Sequence, residues 1–218
     1  MRQASDTLQV LSSRAGRALI HGGVHERAGT DLAWAWFNLG AAAMGRTIVD
    51  LLASGKADQL AMFGQPWDIM EVGAMSLGFE DAMTALDLCT DAVLLACGRQ
   101  PLASGQFYDL GNLRKLRLQL VAPPAIRAWI DHLLRHPDLA LLEECRQPLT
   151  HRFVRRQIFL AAGAGSGRSP SEITTLHGQG SPQGRGSIAV LIPRLVTFGE
   201  MQLESLCRAI LKDFPAPP

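Results

Sequence analysis

Arg146 and His151 stand close together in the stretch EECRQPLTHRFVRRQIFLAA, Glu143 to Ala162, with Arg152, Arg155 and Arg156 directly behind them. A guanidinium and an imidazole that reach the same phosphate can cleave RNA without a metal. His151 would take the proton of the attacking 2′-OH or give one to the leaving oxygen, and Arg146 would stabilise the extra negative charge. Arg152, Arg155 and Arg156 would hold the nucleic-acid backbone, which supplies affinity rather than sequence choice. Pro148 suits the first position of a helix running to about Ala162, so that Arg146 folds back from a preceding loop toward His151 one turn in. Cations are disfavoured at such a helix start. Either the neighbouring Glu143 and Glu144 or a polyanion must compensate them.

The other chemical candidates are weaker in pattern. GAGSGRS, from Gly163, lacks the G-K-[ST] ending of a phosphate loop and follows a helical stretch rather than a strand, so it reads as a linker in which Arg168 and Arg185 could still touch an anion. Glu80, Asp87 and Asp91 lie along one helical side and read as a solvated face, because the Glu-x-x-His pairs of bundle di-metal sites are missing. His21 and His25, like His132 and His136, have i, i+4 spacing without further ligands nearby. The four cysteines, Cys89, Cys97, Cys145 and Cys207, form neither a C-x-x-C pair nor a zinc pattern. There is no G-x-S-x-G elbow for a hydrolase. No metal and no cofactor is expected.

The elements that must position these residues are helical. Phe79, Met83, Leu86, Val93 and Cys97 recur at helical spacing. GTDLAWAWFNLGAAAMGRTIVDLLASG predicts a long helix capped at Thr30 or Asp31 and stopped by Gly55, with small residues where neighbours approach closely. YDLGNLRKLRLQL is short and basic, Pro123-Pro124 precedes a helix over AIRAWIDHLLRH, and PDLALLEEC adds two turns before Pro148. Gly163 to Ser187 reads as a Gly-rich loop, and the tail as a strand over Ile188 to Ile192 followed by a helix from about Glu200 to Lys212. The expected fold is all-α: an extension over residues 1–29, a helical bundle over 30–162, the loop over 163–187, and a strand-helix appendage over 188–218.

In such a bundle RQPLTH resembles the R-x(4–6)-H motif of the HEPN-like superfamily. That resemblance implies a HEPN-like bundle, a metal-independent endoribonuclease of a prokaryotic conflict or toxin system with Arg146 and His151 as its catalytic pair, RNA as substrate, and a homodimer whose two pairs share a cleft. It also implies a protein partner from the same system. Self-association has an independent reason, since Trp34, Trp36, Phe37 and Leu39 put more apolar surface on one helix than one face needs. The formal charge of +1 favours two rivals, a non-catalytic adaptor or regulatory module and a small-molecule-binding bundle. Scattered cysteines, an N-terminus without an apolar signal region, and an apolar run too short to span a bilayer (Leu32 to Gly45) point to a cytoplasmic protein without membrane contact.

Overall fold

The computed structural model describes residues 2–54, 73–150, 172–173 and 186–215. It is all-α, with helices α1 (Arg2–His21), α2 (Arg27–Ala53), α3 (Ala82–Ala96), α4 (Leu110–Leu116), α5 (Pro124–Arg135), α6 (Pro137–Thr150) and α7 (Ile188–Asp213). A π-helical turn, Ser76–Asp81, leads into α3. Two short strands, β1 (Glu172–Ile173) and β2 (Gly186–Ser187), pair antiparallel. The chain divides into two compact units. The first takes residues 1–40, 84–136 and 198–218, the second residues 41–83 and 137–197.

In the first unit, burial sets where the helices begin. Ala28, Leu32, Ala35 and Leu39 are all buried at alternating four- and three-residue steps. Ala28 already belongs to this face, so α2 starts a turn ahead of the expected cap at Thr30 or Asp31, and Asp31 falls inside the helix. His25 takes over as the cap, its Nδ1 accepting from Arg27 N at 3.2 Å. The chain leaves α1 through Gly23, whose positive φ of 79° lets Val24 N reach back to Leu19 O at 3.0 Å. Asp109 and Asn112 close a reciprocal capping box on α4. Asp213, at the far end of the chain, caps α5 from outside by accepting from Ala125 N and Ile126 N at 3.2 and 2.8 Å. Trp129 of α5 is buried and donates its indole N–H to Gln202 O at 3.1 Å.

In the second unit α6 packs against the π-helical turn. The approach of Gly45 to that segment is tight: a Cβ there would stand 2.6 Å from Ala74 O and 2.8 Å from Gly78 N. The small residues expected at close contacts are thus used at Gly45 and Gly78, whereas Gly40 and Gly73 meet nothing.

Two further boundaries differ from the sequence reading. Residues 188–192 were expected as a strand, yet α7 runs unbroken from Ile188 through Pro193 to Asp213. The buried positions Ile188, Leu191, Ile192, Leu195 and Val196 follow helical spacing, which a five-residue apolar run on its own cannot distinguish from a strand. Pro148 does not open a helix either. It lies inside α6, whose buried Leu139, Leu142 and Cys145 step along one face toward it. That face holds the helix together despite the backbone hydrogen bond a proline removes.

Candidate functional site: a buried carboxyl pair and an exposed aromatic face

Of the residues expected to carry catalysis, Arg146 lies in α6 and is half-buried. His151, Arg152, Arg155 and Arg156 fall outside the described residues. The expected placement of Arg146 in a loop ahead of a helix is corrected: it sits beyond the midpoint of α6, away from the positive end of that helix. The electrostatic puzzle of a cation at a helix start does not arise there.

A different constellation lies in the first unit. Asp91 of α3 is fully buried and Asp31 of α2 nearly so. Both turn Oδ2 toward one guanidinium, Arg27 Nε, at 2.9 Å from Asp91 and 3.8 Å from Asp31. Neither Oδ2 receives a hydrogen bond from a donor with a fixed proton among the described residues. The Asp91 carboxyl acts on Asp31 through hydrogen bonding and charge. One cation thus faces two buried acids. Burial pushes the Asp31 carboxyl up to about 8; the hydrogen bond and the charge of Asp91 push the same way, against a smaller pull from Arg27.

The pair also holds the connection between α3 and α4. Asp91 Oδ1 accepts from Tyr108 N at 2.7 Å, Arg27 Nη2 donates to Gln106 O, and Tyr108 Oη closes the strap on itself by donating to Gln100 O at 2.9 Å. One turn before Asp91, Asp87 Oδ1 accepts from Leu110 N at 3.1 Å. The expected solvated acidic face is therefore wrong for Asp87 and Asp91. Both are buried because they satisfy backbone N–H groups, of Leu110 at the start of α4 and of Tyr108 in the loop before it, that water would otherwise have to serve. The sequence did carry a signal: Asp91 is followed by the apolar run AVLLAC, and Arg27 and Asp31 have ion-pair spacing.

No group of three or more potential metal ligands occurs among the described residues. The thiols are not poised nucleophiles. Burial pushes Cys97 up to about 11 and Cys145 and Cys207 to about 12, and raises Cys89 as well. His132 is exposed, with its ring centroid 5.4 Å from that of half-buried His136, which in turn lies 4.6 Å from Phe198.

The second feature is apolar. Trp34 and Phe37 meet edge to face, ring centroids 5.4 Å apart, and are 53% and 58% exposed. Leu39, grouped with them in the sequence reading, is buried instead. Every exposed residue of α2 between Arg27 and Gly40, namely Thr30, Ala33, Trp34, Phe37 and Gly40, is uncharged. Val10 and Ile20 of α1 in the same unit are also exposed, at 59% and 48%. No helix among the described residues is long and apolar enough to cross a membrane. No family model matches the chain, and neither does any curated protein or solved structure.

Proposed function

We propose that this chain is a non-catalytic helical module, of adaptor or regulatory type, that works by pairing through the Trp34 and Phe37 face of α2 with a second copy of itself. The observation that carries the reading is the pair of half-exposed aromatic rings on a helix face without charge. Large aromatic side chains left in water are the usual anchors of protein interfaces. The occupant follows from the pattern. Thr30, Ala33, Phe37 and Gly40 alternate steps of three and four, so bulky Trp34 and Phe37 share one stripe with small Ala33 and Gly40. A Cβ added at Gly40 would meet nothing within 4 Å, which leaves room for an incoming side chain. Knobs and holes on the same patch make it self-complementary, the requirement of a two-fold interface. With no charge on the stripe, two copies do not repel each other.

The ribonuclease expectation rests on the Arg146 and His151 motif; the loop position ahead of a helix that went with it does not hold for Arg146, which lies within α6. Incubating the purified protein with mixed-sequence RNA, with and without EDTA, separates the two readings. Intact RNA across salt and pH supports the module. RNA cleavage that is lost in both His151→Ala and Arg146→Ala would return the chain to the enzymes.

A further inference from the structure

We propose that Asp31 and Asp91 share one proton and form a pH-sensitive latch on the strap from Gln100 to Tyr108, holding it against α2 and α3 while the proton is present and loosening it when the proton leaves to solvent. The geometry is a cluster of two buried acids converging on one cation. Its outer face is the strap itself, whose residues Ala103 to Phe107 are exposed. With the proton in place, the network of Asp31, Asp91 and Arg27 is neutral, and Asp91 and Arg27 each keep one backbone partner on the strap, Tyr108 N and Gln106 O. Once it is lost, two carboxylates compete for Arg27 Nε and one negative charge is left uncompensated where water does not reach. Relief comes from admitting water, and the exposed strap is where the cluster opens with least loss of apolar packing.

The groups that face the cluster are few. On and ahead of α2 they are Arg27 and His25, the latter bonded to Arg27 N. On α3, Cys89 feels the charges of Asp31 and Asp87, and from α7 Cys207 faces Cys89. The strap contributes Tyr108, followed by Asp109 at the start of α4. Burial raises Cys89 and pushes Cys207 to about 12, so neither thiol releases a proton in the window around pH 8. Desolvation and the partner carboxylate push Asp31 up to about 8, within reach of a modest alkaline shift.

Tyr108 is the only tyrosine of the chain, so labelling tyrosine with ¹⁵N yields a single amide resonance that reports the hydrogen bond to Asp91. In the wild type that resonance moves between pH 5 and pH 9 with a midpoint near 8. Its protection against hydrogen exchange, corrected for base catalysis, drops at least tenfold across the same midpoint. In Asp31→Asn the amide group donates to Asp91 in place of the acid proton, and both the shift and the loss of protection disappear. In His25→Gln both persist. A wild-type resonance with no midpoint between pH 7 and pH 9 overturns the shared proton without recourse to any variant, and a midpoint that survives in Asp31→Asn assigns it to another group and does the same. A midpoint with unchanged protection overturns the latch.

Discussion

Replacing Asp31 by Asn should make the protein more stable, by an amount that grows with pH. A carboxyl whose pKa is raised in the folded chain, here from 3.8 to about 8, binds a proton in the folded state that the unfolded chain has already lost. Stability therefore falls as pH rises, starting at the unfolded value near 4 and levelling off once the folded value near 8 is passed. Within that window each pH unit costs about 1.4 kcal/mol, so from pH 5 to pH 8 the wild type should lose about 4 kcal/mol through this one group. Asp31→Asn has no such proton, yet keeps a donor for Asp91 and leaves Arg27 a single carboxylate to neutralise. The difference between the two proteins cancels the other titrating groups. It should be small at pH 5, widen by about 1.4 kcal/mol per unit and flatten above pH 8. Urea unfolding at pH 5, 6, 7, 8 and 9 measures it, provided the slope of stability against urea is the same in both. Curves that run parallel across the series would mean that Asp31 ionises like an exposed carboxyl, and the assignment of a shared proton would be wrong.

Three further outcomes follow from the packing. Gly45→Ala should destabilise by about 1–3 kcal/mol, because the new methyl group meets the backbone of Ala74 and Gly78 rather than a side chain that can turn away; a change below half a kcal/mol in urea unfolding would contradict the close approach. Asp213→Ala should cost about 1 kcal/mol by uncapping α5, with an added loss of hydrogen-exchange protection at Ala125 and Ile126, and unchanged protection there would show that another group caps the helix. Alkylation of the native protein at neutral pH should be slow at Cys89 and Cys207, both fully buried, and rapid modification of either would deny that burial.

How far the sequence reveals the molecule differs from element to element. The helical class was legible because Phe79, Met83, Leu86 and Val93 repeat at a period only a helix can bury on one side. The start of α5 was legible too, since Pro123-Pro124 marks it locally, whereas the Asp109 cap of α4 went unread. Ile188 to Ile192 misled because five apolar residues fit a strand and a helix equally well, and tertiary burial decided between them. Pro148 misled for a related reason: a proline suits a first turn, but the buried face of Leu139, Leu142 and Cys145 outweighs its preference. Asp31 and Asp91 lie far apart in sequence. Only packing brings them to one arginine, so no spacing rule could join them. The exposure of Trp34 and Phe37 was half visible: the excess of apolar residues on α2 was plain, and which of them stay in water was not.

The central claim, pairing of two copies through α2, is tested most directly by sedimentation velocity of the wild type and of Phe37→Lys from about 1 to 100 µM protein. Burial of a phenyl side chain contributes about 1.5–3 kcal/mol, and a two-fold interface contains Phe37 twice, once from each copy, so the substitution should weaken dimerisation by roughly a hundredfold or more. The account predicts a wild-type dimer in this range and a Phe37→Lys monomer with unchanged helical circular dichroism. A wild type that sediments as a monomer at every concentration, or a dimer indifferent to Phe37→Lys, would contradict it.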